Sequence, residues 1–271
     1  MNIRDSIAVV TGAGSGIGSA VSIELAKRGA KTLALVDISD QVLETAKCLN
    51  KTGGVNVHTF QGDTTDPKFR KSVFDTVCER YGVPNICVPA AGIARDALAV
   101  RINKESKEPE IYPLETFHKV IEVDLVAPVY WALEMLARIA KKRNDEGLKR
   151  WQPAEGMQGV VIFIGSISSS GIKGQIAYSA SKAGLEGAAN TLTKEANYFG
   201  VRCGVIHPGF TDTPMVRALG EEYIRKHILP ETQLGRLIRP EEIADAICFM
   251  ISNSAVTGEL WADAGWHPSA A

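Results

Sequence analysis

Short apolar runs alternate along the chain with longer stretches in which apolar residues recur every three or four positions. The runs at 7–10, 32–36, 55–60, 86–88, 160–164, 201–206 and 260–263 read as strands. The stretches 19–27, 39–50, 67–81, 114–142 and 178–199 read as helices, and Arg239-Pro240-Glu241-Glu242 starts a last one with proline in its first turn. Strands separated by helices cannot pair as tight hairpins, so the pattern predicts βαβ units and a parallel sheet. The whole chain, 1–271, is expected to be one α/β domain. Pro128 falls inside the 114–142 stretch and predicts a bend or local break. That stretch is also more apolar than one core needs, which suits subunit packing. Residues 93–113 are the most polar segment and read as a solvated excursion, with Arg101 and Lys104 not expected to touch a substrate. In 210–236, Met215, Val216, Leu219, Tyr223 and Ile224 suit either a lid over a substrate or an amphipathic surface helix.

Composition narrows the function more than the fold. A net charge of −1 with scattered Lys and Arg gives no basic patch for nucleic acid. The five cysteines show no Cys-x-x-Cys spacing and read as free thiols in a reducing compartment. The five histidines share no ligand spacing, so no metal site is expected. Neither a secretory leader nor a membrane-length apolar run is evident. A soluble, cytoplasmic protein is the expectation.

The first strand leads into Thr11-Gly12-Ala13-Gly14-Ser15-Gly16-Ile17-Gly18 and then a helix. Bare backbone at such a turn lets a pyrophosphate approach amides at the positive end of the helix dipole. The second strand ends at Asp37, nineteen residues beyond Gly18 and close to the spacing of a ribose-binding carboxylate. An acid there repels a 2′-phosphate, and Ile38 beside it offers no cation, so NAD(H) is favoured over NADP(H). Asp63 suits either an adenine contact or the capping of a turn. Small residues in Pro89-Ala90-Ala91-Gly92 would let a cofactor lie over the fourth strand end.

A second constellation lies further along. Tyr178 and Lys182 sit one helical turn apart, with Ser166 twelve residues upstream of the tyrosine. A nearby cation favours a phenolate, which makes the tyrosine a general acid/base while the serine hydroxyl holds a substrate oxygen.

Taken together, these motifs resemble those of the short-chain dehydrogenase/reductase family along 7–265. The resemblance rests on Thr11-Gly12 with Gly16 and Gly18, Asp63, Ala91-Gly92, Ser166, and Tyr178 with Lys182. It extends to Pro208-Gly209 with Thr213, Pro240-Glu241-Glu242-Ile243-Ala244 and Thr257-Gly258. It implies a Rossmann-type, doubly wound parallel sheet of seven strands in order 3-2-1-4-5-6-7, and dimers or tetramers. It further implies that Tyr178 moves the hydroxyl proton, Ser166 holds the substrate oxygen, and Lys182 tunes the tyrosine and bonds the nicotinamide ribose. Gly12, Ser15, Gly16, Ile17, Gly18, Asp37, Asp63, Thr64, Ala91, Gly92, Tyr178, Lys182, Pro208, Gly209, Thr211 and Thr213 would bound the cofactor. Several positions depart from the family pattern. Asp124 stands where an asparagine is usual in a proton relay to Lys182, Pro89-Ala90 replace two asparagines, and Gly204 replaces another. Ser166 is also one residue nearer Tyr178 than is commonest, which makes Ser168 an alternative.

The expected reaction is hydride transfer between NAD(H) and a fairly apolar secondary alcohol or ketone. A β-ketoacyl thioester reductase is the rival enzyme, and it would prefer NADPH and a basic docking surface. A catalytically weak nucleotide sensor or scaffold is the rival outside catalysis.

Overall fold

The computed structural model describes residues 1–266. Its main sheet is built from β1 (Ile7–Thr11), β2 (Thr32–Asp37), β3 (Asn56–Gln61), β4 (Ile86–Pro89), β5 (Gly159–Ile164), β6 (Val201–Pro208) and β7 (Gly258–Ala262). All neighbours pair in parallel, in the spatial order β3-β2-β1-β4-β5-β6-β7. The expected seven-stranded topology is therefore the one formed.

The helices are α1 (Gly16–Lys27), α2 (Gln41–Thr52), α3 (Pro67–Tyr81), α4 (Leu114–Ile121), α5 (Ala127–Asp145), α6 (Ile176–Glu195) and α7 (Pro240–Ser252), with shorter turns between. They cover both sheet faces, which explains why the central strands are apolar throughout rather than alternating. In β1, Ala8 and Val10 pack with Val21 and Leu25 of α1 and Ile247 of α7. Ile7 and Val9 point the opposite way, into a second cluster with Phe74 of α3, Trp131 and Met135 of α5, and Leu185 of α6. Burying each such large side chain contributes roughly 1.5–3 kcal/mol, so the two layers hold the strand ends rigidly in place.

The long apolar stretch does not form one helix. Between α4 and α5 lies a π-helical turn, Glu122–Val126. Pro128 has no N–H to donate to the Asp124 carbonyl one turn back, and the Ala127 N–H bonds Glu122 instead. The break expected from Pro128 thus appears just before it, and Asp124 in the widened turn is fully buried.

The polar excursion 93–113 contains a feature its composition hid: an antiparallel hairpin pairing Val100–Ile102 with Pro109–Ile111. Three-residue strands are too short for a period of two to stand out. Arg101 donates to Glu110 across the hairpin at 2.6 Å, so it is engaged there. Elsewhere the expected elements shift by a few residues at their ends; α6, for example, begins at Ile176 rather than Tyr178.

Candidate active site

Most of the residues singled out in the sequence lie at or just past the carboxyl ends of the parallel strands, in two groups, with Asp124 on the π-helical turn and Tyr178 and Lys182 on α6. The first surrounds β1. Gly12 has φ +66°, and a Cβ on it would come within 2.8 Å of the Ala90 backbone. A Cβ on Gly18 would lie 2.2 Å from the Gly12 carbonyl oxygen. The loop can fold back on itself and against the end of β4 only because these side chains are missing. Ser15 precedes α1 in extended conformation and its side chain caps no amide of that helix. The first turn of α1 therefore keeps backbone N–H groups for an anion. The Ala91 N–H donates to Thr11 Oγ1 at 3.1 Å, so Thr11 ties the Ala91-Gly92 turn to the loop.

Asp37 ends β2 with one carboxylate oxygen accepting from the Gly14 N–H at 2.8 Å and the other from the Ser39 N–H at 2.9 Å. A carboxylate has about four acceptor sites, so these two bonds orient Asp37 and leave room for hydroxyl donors. The Ser39 hydroxyl accepts from Gln41 at the start of α2. Asp63 accepts from both the amide and the hydroxyl of Thr65, which hold its carboxyl below the usual carboxylate range. Turn capping is thus a role it visibly performs. Thr64 is buried, and its carbonyl accepts from the Trp131 indole at 2.9 Å.

The second group surrounds β5 and β6. Ser166 follows β5 directly, and its hydroxyl oxygen accepts from the Ser168 N–H at 3.0 Å. Tyr178 and Lys182 project from α6 toward it. Lys182 Nζ donates to the Ile164 carbonyl at 3.0 Å, lies 5.3 Å from the centre of the Tyr178 ring, and lies 3.6 Å from Asp124 Oδ2. Asp124 Oδ1 accepts from the Ile93 N–H at 2.8 Å, while Oδ2 is buried with no hydrogen-bond partner. For the Ile93 contact a carboxylate serves as well as an amide oxygen, because only an acceptor is needed.

Burial pushes the Tyr178 phenol above the ordinary tyrosine value; the Lys182 ammonium pulls it back, and the Asp124 carboxylate pushes it up again. A hydrogen bond with Ser166 also favours the phenolate. The lysine therefore acts in the expected direction, but desolvation outweighs it. Burial likewise raises Asp124, against the opposing pull of Lys182 and the Ile93 amide.

Ser166 and Tyr178 share the wall of one cavity with Ile17, Ser168, Pro208, Gly209, Thr211 and Thr213. Phe210, Met215, Val216 and Leu219 line the same cavity, which ties the 210–236 segment to the site. A Cβ on Gly16 would lie 3.1 Å from the Thr213 methyl, so the glycine loop reaches this cavity from the other side. Gly204 lies deeper in β6, where a Cβ would meet Met250 at 3.0 Å and the Gly258 carbonyl at 3.1 Å. A larger residue there needs the neighbours to move.

A family model described as enoyl-(acyl carrier protein) reductase matches residues 12–267. The 3-oxoacyl-(acyl-carrier-protein) reductase FabG of Escherichia coli K12 is 33% identical over 262 residues, covering 96% of each chain. The chain belongs to the short-chain dehydrogenase/reductase family. Human (3R)-3-hydroxyacyl-CoA dehydrogenase is 31% identical to this dehydrogenase/reductase, with 94% of this chain and 93% of the relative covered. A short-chain type dehydrogenase/reductase from Mycobacterium marinum shares the fold, with TM-score 0.82 at 23% identity, covering 98% and 96% of the two chains.

Two features of this dehydrogenase/reductase escaped the sequence reading. Gln175 donates to Asp96 at 2.8 Å, and both line the cavity. His207, one residue past the strand expected at 201–206, is the fully buried penultimate residue of β6 and contacts the Ser166 carbonyl. The one available signal was a histidine directly before Pro208-Gly209, at the end of an apolar strand.

Proposed function

We propose that this protein transfers a hydride between NAD(H) and the carbinol or carbonyl carbon of a fairly apolar secondary alcohol or ketone. The observation that carries this reading is the Ser166 hydroxyl and Tyr178 phenol on one cavity wall, with Lys182 buried behind them. The glycine cradle fits a dinucleotide: its Cβ-free surface leaves backbone open at the start of α1, and Asp37 is turned into the loop rather than away from it. When bound, the nicotinamide cofactor gives or takes the hydride.

The chain's own residues do the rest. Gly12, Ser15, Gly16, Ile17 and Gly18 hold the pyrophosphate, with Ala91 and Gly92 beneath. Asp37 accepts from the adenosine ribose hydroxyls, and with apolar Ile38 beside it disfavours a 2′-phosphate. Asp63 and Thr64 border the adenine; Pro208, Gly209, Thr211 and Thr213 border the nicotinamide end. Lys182 holds the nicotinamide ribose. Tyr178 donates its proton to the substrate oxygen in reduction and takes it back in oxidation, while Ser166 hydrogen-bonds that same oxygen. A phenol kept neutral by burial is the form that reduction requires. Asp124, within reach of Lys182, is the next carrier for that proton. The segment 210–236 closes over the substrate. The whole chain works as one domain and as a homo-oligomer, a reading supported by half-exposed Tyr130 on α5 and Tyr198 after α6. Cysteines outside any disulfide support a reducing, cytoplasmic setting.

Nicotinamide absorbance with NAD⁺, NADP⁺ and a panel of cyclic, aryl and aliphatic secondary alcohols tests this reading. Turnover with NAD⁺ that disappears in Tyr178→Phe is the expected result. NADH binding with no turnover on any substrate would point to the sensor instead. The names of the relatives favour a second substrate class, β-ketoacyl thioesters, and a 3-oxoacyl thioester with NADH and NADPH belongs in the same panel. Faster turnover of the thioester than of every simple ketone would move the assignment to that class.

A further inference from the structure

His207 lies outside the machinery described so far, yet its ring is placed behind the catalytic serine with no exposed surface. Its Nδ1 is 3.2 Å from the Ser166 carbonyl oxygen and 3.8 Å from Glu186 Oε1 on α6. Its Nε2 is 3.5 Å from Glu259 Oε2 on β7. The ring stacks on Trp261 of β7, with centroids 4.2 Å apart and planes 15° from parallel. Gly165 makes room for it, since a Cβ there would sit 2.7 Å from Nδ1. The next charge along α6 is Lys182, whose ammonium is turned to the Ile164 carbonyl.

The chemistry of these neighbours fixes one proton. A backbone carbonyl and an ionised carboxylate only accept, so Nδ1 must carry hydrogen for the contact with Ser166 to be favourable. Glu259 faces Nε2, which lacks a hydrogen-bond partner in the neutral Nδ1–H ring.

We propose that His207 is a positioning residue for the reaction: its Nδ1–H pins the Ser166 peptide, and Glu186, Glu259 and Trp261 hold the ring in that orientation. Ser166 Oγ is already tied to the Ser168 amide. With its carbonyl anchored as well, the main chain that carries the serine hydroxyl is restrained at that position. A displacement on the order of 1 Å at such a group can cost about a hundredfold in rate.

This inference rests on the role given to Ser166 above, and the experiment separates the two. His207→Phe fills the space but cannot donate; His207→Asn keeps an N–H on a side chain of shorter reach. His207→Phe is expected to lower kcat about ten- to a hundredfold with the cofactor Kd unchanged, and His207→Asn to recover part of the loss. Gly165→Ala, which pushes the ring off the carbonyl, should reproduce the His207→Phe defect. Side-chain nitrogen NMR of the unmodified protein reads the ring directly, without any turnover. A proton on Nδ1, alone or with one on Nε2, supports the contact; a proton on Nε2 alone overturns it. A folded His207→Phe protein with wild-type kcat, alongside an inactive Ser166→Ala, would overturn this inference and leave the proposed function standing.

Discussion

The two halves of the site reach their order by opposite means. The half proposed for the nucleotide, around β1 and β2, is made of backbone and missing side chains. Gly12 and Gly18 let main chain touch main chain, and Asp37 is oriented by two amides. The half proposed for catalysis, around β5 and β6, is made of buried polar side chains: Asp124, Ser166, Lys182 and His207 are each less than a tenth exposed. The first half sets shape, and shape tolerates no added atom. The second sets protonation, and protonation answers to every neighbouring charge. Steric substitutions should therefore damage the first half, and charge substitutions should retune the second.

The largest effect is expected from Tyr178→Phe. Losing the proposed proton carrier should cut kcat/KM by about 10²–10⁴ while NADH still binds, as fluorescence titration would show. Retained turnover would place the proton on another group and break the division between the halves.

Gly12→Ala comes next. A left-handed backbone conformation and a 2.8 Å approach to Ala90 both resist the added methyl. Stability should fall by about 1–3 kcal/mol in urea unfolding, with a parallel loss of NADH affinity. An unchanged midpoint would show that the loop gives way more easily than its packing indicates.

Asp37→Ala combined with Ile38→Arg replaces the carboxylate with a cation beside the ribose. A charged hydrogen bond contributes about 1.5–3 kcal/mol, so the ratio of NADP⁺ to NAD⁺ efficiency should rise about tenfold or more. If the ratio stays put, cofactor choice lies elsewhere in the loop.

Asp124→Asn should have the smallest effect, visible mainly against pH. Removing the carboxylate that pushes Tyr178 up should move the pH profile of alcohol oxidation to lower pH. Stability should change in a defined sense as well. Asp124 is raised above its ordinary value of 3.8, so the folded protein holds its proton more tightly than the unfolded chain. Its stabilising contribution is full below that value and is lost as pH rises through the raised one. Thermal unfolding should find Asp124→Asn gaining on the wild type as pH rises from about 3.8 toward neutral, the gain closing again in acid. A gap independent of pH would mean that Asp124 titrates alike in the folded and the unfolded chain.

Much of this was legible beforehand because it depends on local spacing. Glycines at 12, 16 and 18 after an apolar run, and a Tyr–Lys pair one turn apart, keep their meaning in any α/β context. What could not be read was the sign of competing effects. Lys182 does favour the Tyr178 phenolate, yet the burial that outweighs it comes from elements distant in sequence. Asp124 Oδ2, buried without a hydrogen bond and 3.6 Å from Lys182 Nζ, sits on a π-helical turn whose hydrogen bonds no periodicity announces. His207 is another such case. A strand residue beside Pro208-Gly209 gains its role only when β5, α6 and β7 bring Ser166, Glu186 and Glu259 to its ring.

The sequence by itself determined the alternating elements, the parallel sheet, the glycine-rich turn and the pairing of a tyrosine with a lysine one helical turn on. Each follows from period, turn chemistry or the intrinsic properties of a side chain, and those act over a few neighbouring residues. Only the tertiary structure decided which groups are dry, which carboxylate faces which cation, and which histidine stands behind the serine. Desolvation and Coulomb interactions act through space across elements far apart in the chain, so they exist only once the sheet and its two helix layers have closed around the site.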